Sequence, residues 1–121
     1  MIKEVLLVGT GGFVGSALRY LVSVWMSGSA AGMLPWATFT VNGAGSLLIG
    51  LFLALAGQGS WYFLLVAGFC GGFTTFSTFS AELFAMVRNG NYGQAGIYIT
   101  ASVVICVLAV WLGMTLGKMM K

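Results

Sequence analysis

An all-α membrane protein of four transmembrane helices, the third of them broken, is the fold class this sequence predicts. Three observations predict it. The chain of 121 residues is 60% hydrophobic and only 6% charged, with a mean hydropathy of +1.03, whereas soluble domains carry about 25% charged residues. No charged residue occurs over 20–81 or over 89–117, and a small soluble domain has too little interior to hide that much apolar surface. Turn residues divide the apolar sequence into four stretches, each near the ~20 residues that cross a bilayer.

The first span covers about 5–26. Lys3 ahead of an apolar run has the look of a signal peptide, but Arg19 interrupts the run and further spans follow, so a membrane helix is expected. Gly28, Ser29, Gly32 and Pro35 predict a short loop. The second span covers about 36–56 and ends at the turn signal Gly57-Gln58-Gly59-Ser60. The third covers about 61–87 and closes at Arg88-Asn89-Gly90-Asn91. The fourth covers about 95–116, ahead of Lys118 and Lys121. Loops this short make consecutive helices antiparallel neighbours, and the whole is one four-helix transmembrane unit.

Four spans put both termini on one side, with Lys3, Lys118 and Lys121; Arg88 lies on the other, and Arg19 and Arg88 leave only a small bias towards cytoplasmic termini. That bias is compatible with insertion in both orientations, which would permit an antiparallel, dual-topology homodimer. The net charge of +3 comes from scattered residues that form no basic patch, so no nucleic-acid partner is expected. The chain has no histidine and no aspartate. This removes histidine-based catalysis and most metal sites built from side chains, and an enzyme is not expected. Cys70 and Cys106, both in apolar runs, read as small hydrophobes rather than as a disulfide.

Nineteen glycines are more than twice what an average usage of about 7% would give. The pairs Gly11/Gly15, Gly68/Gly72 and Gly113/Gly117 have the spacing that lets helix backbones approach closely in lipid. The stretch 9–15 mimics a dinucleotide fingerprint, but its spacing is wrong and no acidic partner follows.

The third span is unlike an ordinary lipid-facing helix. Its centre reads Gly68-Phe69-Cys70-Gly71-Gly72-Phe73-Thr74-Thr75-Phe76-Ser77-Thr78-Phe79-Ser80. The glycine pair is its weakest helical point. On a continuous helix Phe73, Phe76 and Phe79 would form one aromatic row, flanked by hydroxyl rows Thr75/Thr78 and Thr74/Ser77. Two readings compete: hydroxyls bonded back to the i−4 carbonyls of a packed helix, or a break whose freed carbonyls and amides face a protein-lined or watery path and can hold ions. A phenylalanine edge carries positive quadrupole charge, so such edges can touch an anion without trapping it. Asn42, in Thr40-Val41-Asn42-Gly43, is expensive in hydrocarbon unless its amide is bonded, as interhelical glue or as a donor on a path. Tyr98 and Ser102 lie one turn apart in the fourth span, with Thr100 between them, and either continue a polar track or bond to neighbouring helices. Arg19 and Glu82 sit near span ends, where they can pair with each other, bond to backbone, or gather ions at a mouth. Arg88 and the terminal lysines read as anchors.

Together, the residues 11–20, Thr40-Val41-Asn42-Gly43, and 68–79 with Glu82 resemble the CrcB/Fluc family of small fluoride channels, in order and over essentially the whole chain. The resemblance implies a passive, fluoride-selective channel in a cell membrane (the bacterial inner membrane), formed by an antiparallel dual-topology homodimer with two pores. Its partners would be fluoride, membrane lipid and a second copy of itself. It further implies a central structural Na+ held by backbone carbonyls of Gly71 and Thr74 from both subunits. By the same resemblance Phe76 and Phe79 would contact fluoride and Asn42 would be the pore asparagine. Arg19 and Glu82 match the family's arginine and glutamate, and Tyr98 and Ser102 its polar track. The hydroxyls Thr75 and Thr78 would join the path. The alternative is a small four-span proton-coupled cation or drug antiporter, for which Glu82 would have to serve as the intramembrane acid; a purely structural membrane subunit is a further rival.

Overall fold

The computed structural model describes residues 1–27 and 34–121; the predicted loop residues Gly28, Ser29 and Gly32 lie outside the described residues. Four helical spans result: α1 (Ile2–Met26), α2 (Trp36–Ala56), a composite third span, and α5 (Tyr92–Met120). The third span is a π-helix (Tyr62–Cys70) running into one turn of α-helix, α3 (Gly71–Phe73), and, after a gap, α4 (Phe76–Arg88). Each span is long and apolar enough to cross a membrane, and the chain is a multi-pass membrane protein. The helical form follows from the solvent: hydrocarbon offers no hydrogen bonds, so every backbone N–H and C=O must be satisfied within the protein. Large apolar side chains such as Phe13, Trp25, Val107 and Trp111 point outward, as lipid permits.

Packing divides the bundle into two halves. α1 lies along the π-helix and α3, and α2 lies along α5. In both halves the backbones nearly touch. A Cβ at Gly15 would strike the Phe69 carbonyl and the Phe73 amide, and one at Gly113 would strike the Leu47 carbonyl and the Leu51 amide. Lipid tails are as apolar as leucine, so helices associate through close van der Waals contact, and small residues supply it. The glycine pairs singled out above are therefore packing surfaces, with Gly11/Gly15 seated on the Gly68/Gly72 stretch.

The break does not fall at Gly71-Gly72. Gly71 is α-helical (φ −61°, ψ −36°), whereas Thr74 (φ −88°, ψ 160°) and Thr75 (φ −150°, ψ 117°) are extended. Intrinsic helix propensity is a weak term where helical hydrogen bonds have no competitor in the solvent, so the glycine pair stays wound. The two extended residues also undo the row through Phe73, Phe76 and Phe79. Phe73 stacks on Phe69 (centroids 5.6 Å, planes 11° apart), while Phe76 and Phe79 neighbour each other along the first turn of α4 (5.8 Å). The Thr74/Ser77 row is likewise not formed: the Thr74 hydroxyl donates back to the Cys70 carbonyl at 2.8 Å.

Candidate ion pathway at the helix break

An interrupted helix leaves carbonyls without partners before the gap and amides without partners after it. Most of these groups have an identifiable answer here. At the start of α4, Thr75 is the N-cap; its hydroxyl accepts from the Thr78 amide at 3.2 Å and lies 3.3 Å from the Ser77 hydroxyl. The main chain of Thr75 is itself held by Asn42, whose Oδ1 accepts from the Thr75 amide (2.7 Å) and whose Nδ2 donates to the Thr75 carbonyl (3.1 Å). One side-chain amide thus replaces a whole neighbouring backbone unit. The Arg19 guanidinium answers the other end, its Nε donating to the Gly72 carbonyl at 3.0 Å. A cation beside the carbonyl end of a helix is also favoured by the helix dipole. No main-chain donor from outside the helices reaches the Gly71 or Thr74 carbonyl among the described residues.

Of the options open to Arg19 and Glu82, mutual pairing is not used. The Glu82 carboxylate accepts from the Tyr98 hydroxyl (2.9 Å) and from the Thr38 hydroxyl (2.8 Å). Tyr98 is fully buried and its ring packs against Phe79, centroids 4.9 Å apart. Thr38 escaped the reading of the sequence. Its signal was available: it lies one turn before Asn42 on α2, so both reach the same neighbours.

A cleft of about 530 Å³ opens beside the break. It brings together Asn42, Gly71, Thr74, Thr75, Phe76, Phe79 and Ser102. Phe76 is 78% exposed, whereas Phe79 is only 6% exposed, its ring held between Phe76 and Tyr98. Ser102 is 7% exposed and its hydroxyl has no hydrogen-bond partner in the protein. Glu82 and Tyr98 lie behind Phe79 and do not line the cleft; Arg19 is on the α1 side of the break, and Thr78 is on the exposed side of α4. The Ser102 hydroxyl, the ring edges and the main chain flanking the gap are weak polar groups in a largely apolar wall. Such a lining suits a small ion passing in steps rather than a substrate held tightly.

The family model described as "CrcB-like protein, Camphor Resistance (CrcB)" matches residues 6–114. The chain is 47% identical over 107 residues to the fluoride-specific ion channel FluC of Leptospira interrogans serovar copenhageni, covering 84% of each chain. It is 42% identical over 114 residues to the protein of that name from Paramagnetospirillum magneticum, covering 88% of this chain and 89% of that one. With the one from Thermus thermophilus it shares 41% over 120 residues, covering 96% and 94%. All three are named as channels and none as an enzyme. With a broken third span, an asparagine clasping its backbone, and whole-length similarity to these proteins, the chain belongs to the CrcB/FluC fluoride-channel family.

Proposed function

We propose that this chain is the subunit of a fluoride-selective channel that lets fluoride leave the cytoplasm passively, and that it works as an antiparallel, dual-topology homodimer. The observation that carries the reading is the break at Thr74–Thr75, clasped by Asn42 and opening on a polar-lined cleft. The relatives' names support fluoride as the ion. Fluoride is small and strongly hydrated, so each water removed needs a substitute donor. The unpartnered Ser102 hydroxyl is one, and the second N–H of the Asn42 amide is another. The edges of Phe76 and Phe79 supply partial positive charge without a full cation that would hold the ion. Thr75 and Thr78 shape the turn, and the Glu82–Tyr98 hydrogen bond fixes the ring against which Phe79 rests. Arg19 keeps α3 in place through Gly72.

The homodimer reading draws support from Phe76, a large apolar side chain that lines the cleft and is exposed in the single chain. A structural Na+ fits the donors available. Among the described residues no cluster of acidic, histidine or cysteine side chains could hold a metal, but the Gly71 and Thr74 carbonyls are free of amide partners, and hard cations prefer oxygen ligands. Two copies would bring four such carbonyls together. When bound, the ion would supply a fixed positive charge that joins the subunits and favours an anion nearby. The antiporter reading asks Glu82 to face a substrate cavity; instead both its oxygens are engaged by Thr38 and Tyr98, away from the cleft.

The test is ion efflux from liposomes holding the purified protein, with fluoride compared against chloride, in sodium and in a large organic cation. Rapid fluoride loss, little chloride loss and a need for sodium are expected. A well-folded protein that passes no fluoride would overturn the channel reading, and proton-coupled cation uptake would establish the rival.

A further inference from the structure

The cleft holds two groups that the channel reading leaves unused. Cys106 lies one turn beyond Ser102 on α5, and Cys70 stands at the end of the π-helix; both line the same cleft and both thiols are free. The Ser102 hydroxyl, one turn before Cys106 on α5, lines the same cleft, is more than nine-tenths buried and has no partner in the protein, so it is open to a ligand as well as to a passing ion. The chain has no histidine or aspartate, and its Glu82 is engaged elsewhere. The strongest soft donors reachable from the cleft are therefore these two sulfurs. Thiolates select soft metal ions, while the hydroxyl and carbonyl oxygens nearby suit hard ones.

We propose that this cleft is a binding site for a thiophilic metal cation, anchored by Cys106 with Cys70 as second sulfur and the Ser102 hydroxyl beside them, and that its occupation closes the ion route. The closure rests on the channel reading above; the binding does not. On binding, the thiol proton passes to water as the sulfur–metal bond forms, and nothing is oxidised or reduced. The bound cation adds bulk and a fixed positive charge next to Ser102, so an arriving anion meets a plug or a trap where it previously met weak donors. Cys106 is the accessible partner, being partly exposed, whereas Cys70 is 1% exposed and forms the wall.

The probe is Ag+ in chloride-free buffer, applied to the full-length protein in liposomes. Two quantities are read: silver retained per chain after desalting, and fluoride efflux relative to each variant's own silver-free rate. Seven methionines offer weaker thioether sites, so the informative quantity is the difference between wild type and Cys106→Ser. Wild type is expected to retain about one more silver ion per chain than that variant and to lose about tenfold in efflux, restored by excess dithiothreitol. Cys106→Ser should be insensitive, with Cys106→Val as the substitute where the serine variant does not fold. Cys70→Ser should release silver to a lower thiol concentration than wild type; unchanged release would overturn the two-sulfur site. Equal retention by wild type and Cys106→Ser would overturn the proposal outright. Silver held at Cys106 with undiminished efflux would overturn the closure. If the wild type passes no fluoride at all, the channel reading fails, and silver retention still decides the site.

Discussion

Replacing Asn42 by alanine tests the assignment of the helix break to a partner outside the helix. The substitution deletes both hydrogen bonds to Thr75, the 2.7 Å bond from its amide and the 3.1 Å bond to its carbonyl. It leaves two main-chain groups unpaired in a site that is only partly open. Each unpaired buried group costs about 1–3 kcal/mol, giving about 2–6 kcal/mol in total, with water in the cleft pulling the figure to the lower half. The loss is local. Thr75 is the N-cap of α4, and α4 touches the rest of the bundle mainly through α5. The expected result is therefore a faster opening of the Thr74–Phe79 turn, by about thirtyfold or more, with α1, α2 and α5 unaffected. Hydrogen exchange read by mass spectrometry over 74–79 measures it. Asn42→Asp refines the test, because it keeps an acceptor for the Thr75 amide but sets an oxygen against the Thr75 carbonyl; it should also open faster, and should pass fluoride poorly by repulsion. Unchanged exchange at 74–79 in both variants would refute the reasoning, since the gap would then be held by something other than Asn42.

Three further outcomes are expected. Phe76→Ile and Phe79→Ile keep apolar bulk but remove the positive ring edge, so both should slow fluoride efflux while the protein stays folded; Phe79→Ile also loosens the contact with Tyr98 at 4.9 Å, and undiminished efflux in both would sink the ring-edge role. Thr74→Ala removes only a hydroxyl bonded to the Cys70 carbonyl, so sodium dependence measured by efflux should persist; its disappearance in an intact assembly would contradict ligation by the Thr74 carbonyl alone. Gly15→Ala places a methyl against the Phe69 carbonyl and the Phe73 amide, and should lower thermal stability in detergent by more than about 1–3 kcal/mol, the range for overpacking, because backbone rather than a movable side chain must yield.

Everything that depends on totals and on local pattern is legible in the residues alone. Sixty per cent hydrophobic residues and two long uncharged runs leave no soluble solution, and turn residues at 57–60 and 88–91 divide what remains into spans. The glycine pairs announced close helix packing for the same reason, because in lipid small residues are the means of approach. The oddity of the third span was also legible, as five hydroxyl residues and three phenylalanines crowded beyond a glycine pair. Its position was not. Propensity pointed to Gly71-Gly72, yet the chain comes out of the helix at Thr74–Thr75, where Asn42 reaches it from 33 residues away in sequence. The packing of the spans settles that, and likewise that Arg19 serves the Gly72 carbonyl while Glu82 gathers the hydroxyls of Thr38 and Tyr98. Asn42 and Arg19 share one cause, whereas the Glu82 carboxylate answers side-chain hydroxyls rather than the break. A helix in a membrane can stop only where some other group takes up its unpaired N–H and C=O, and which group arrives there is settled by how the spans pack, not by the residues at the break.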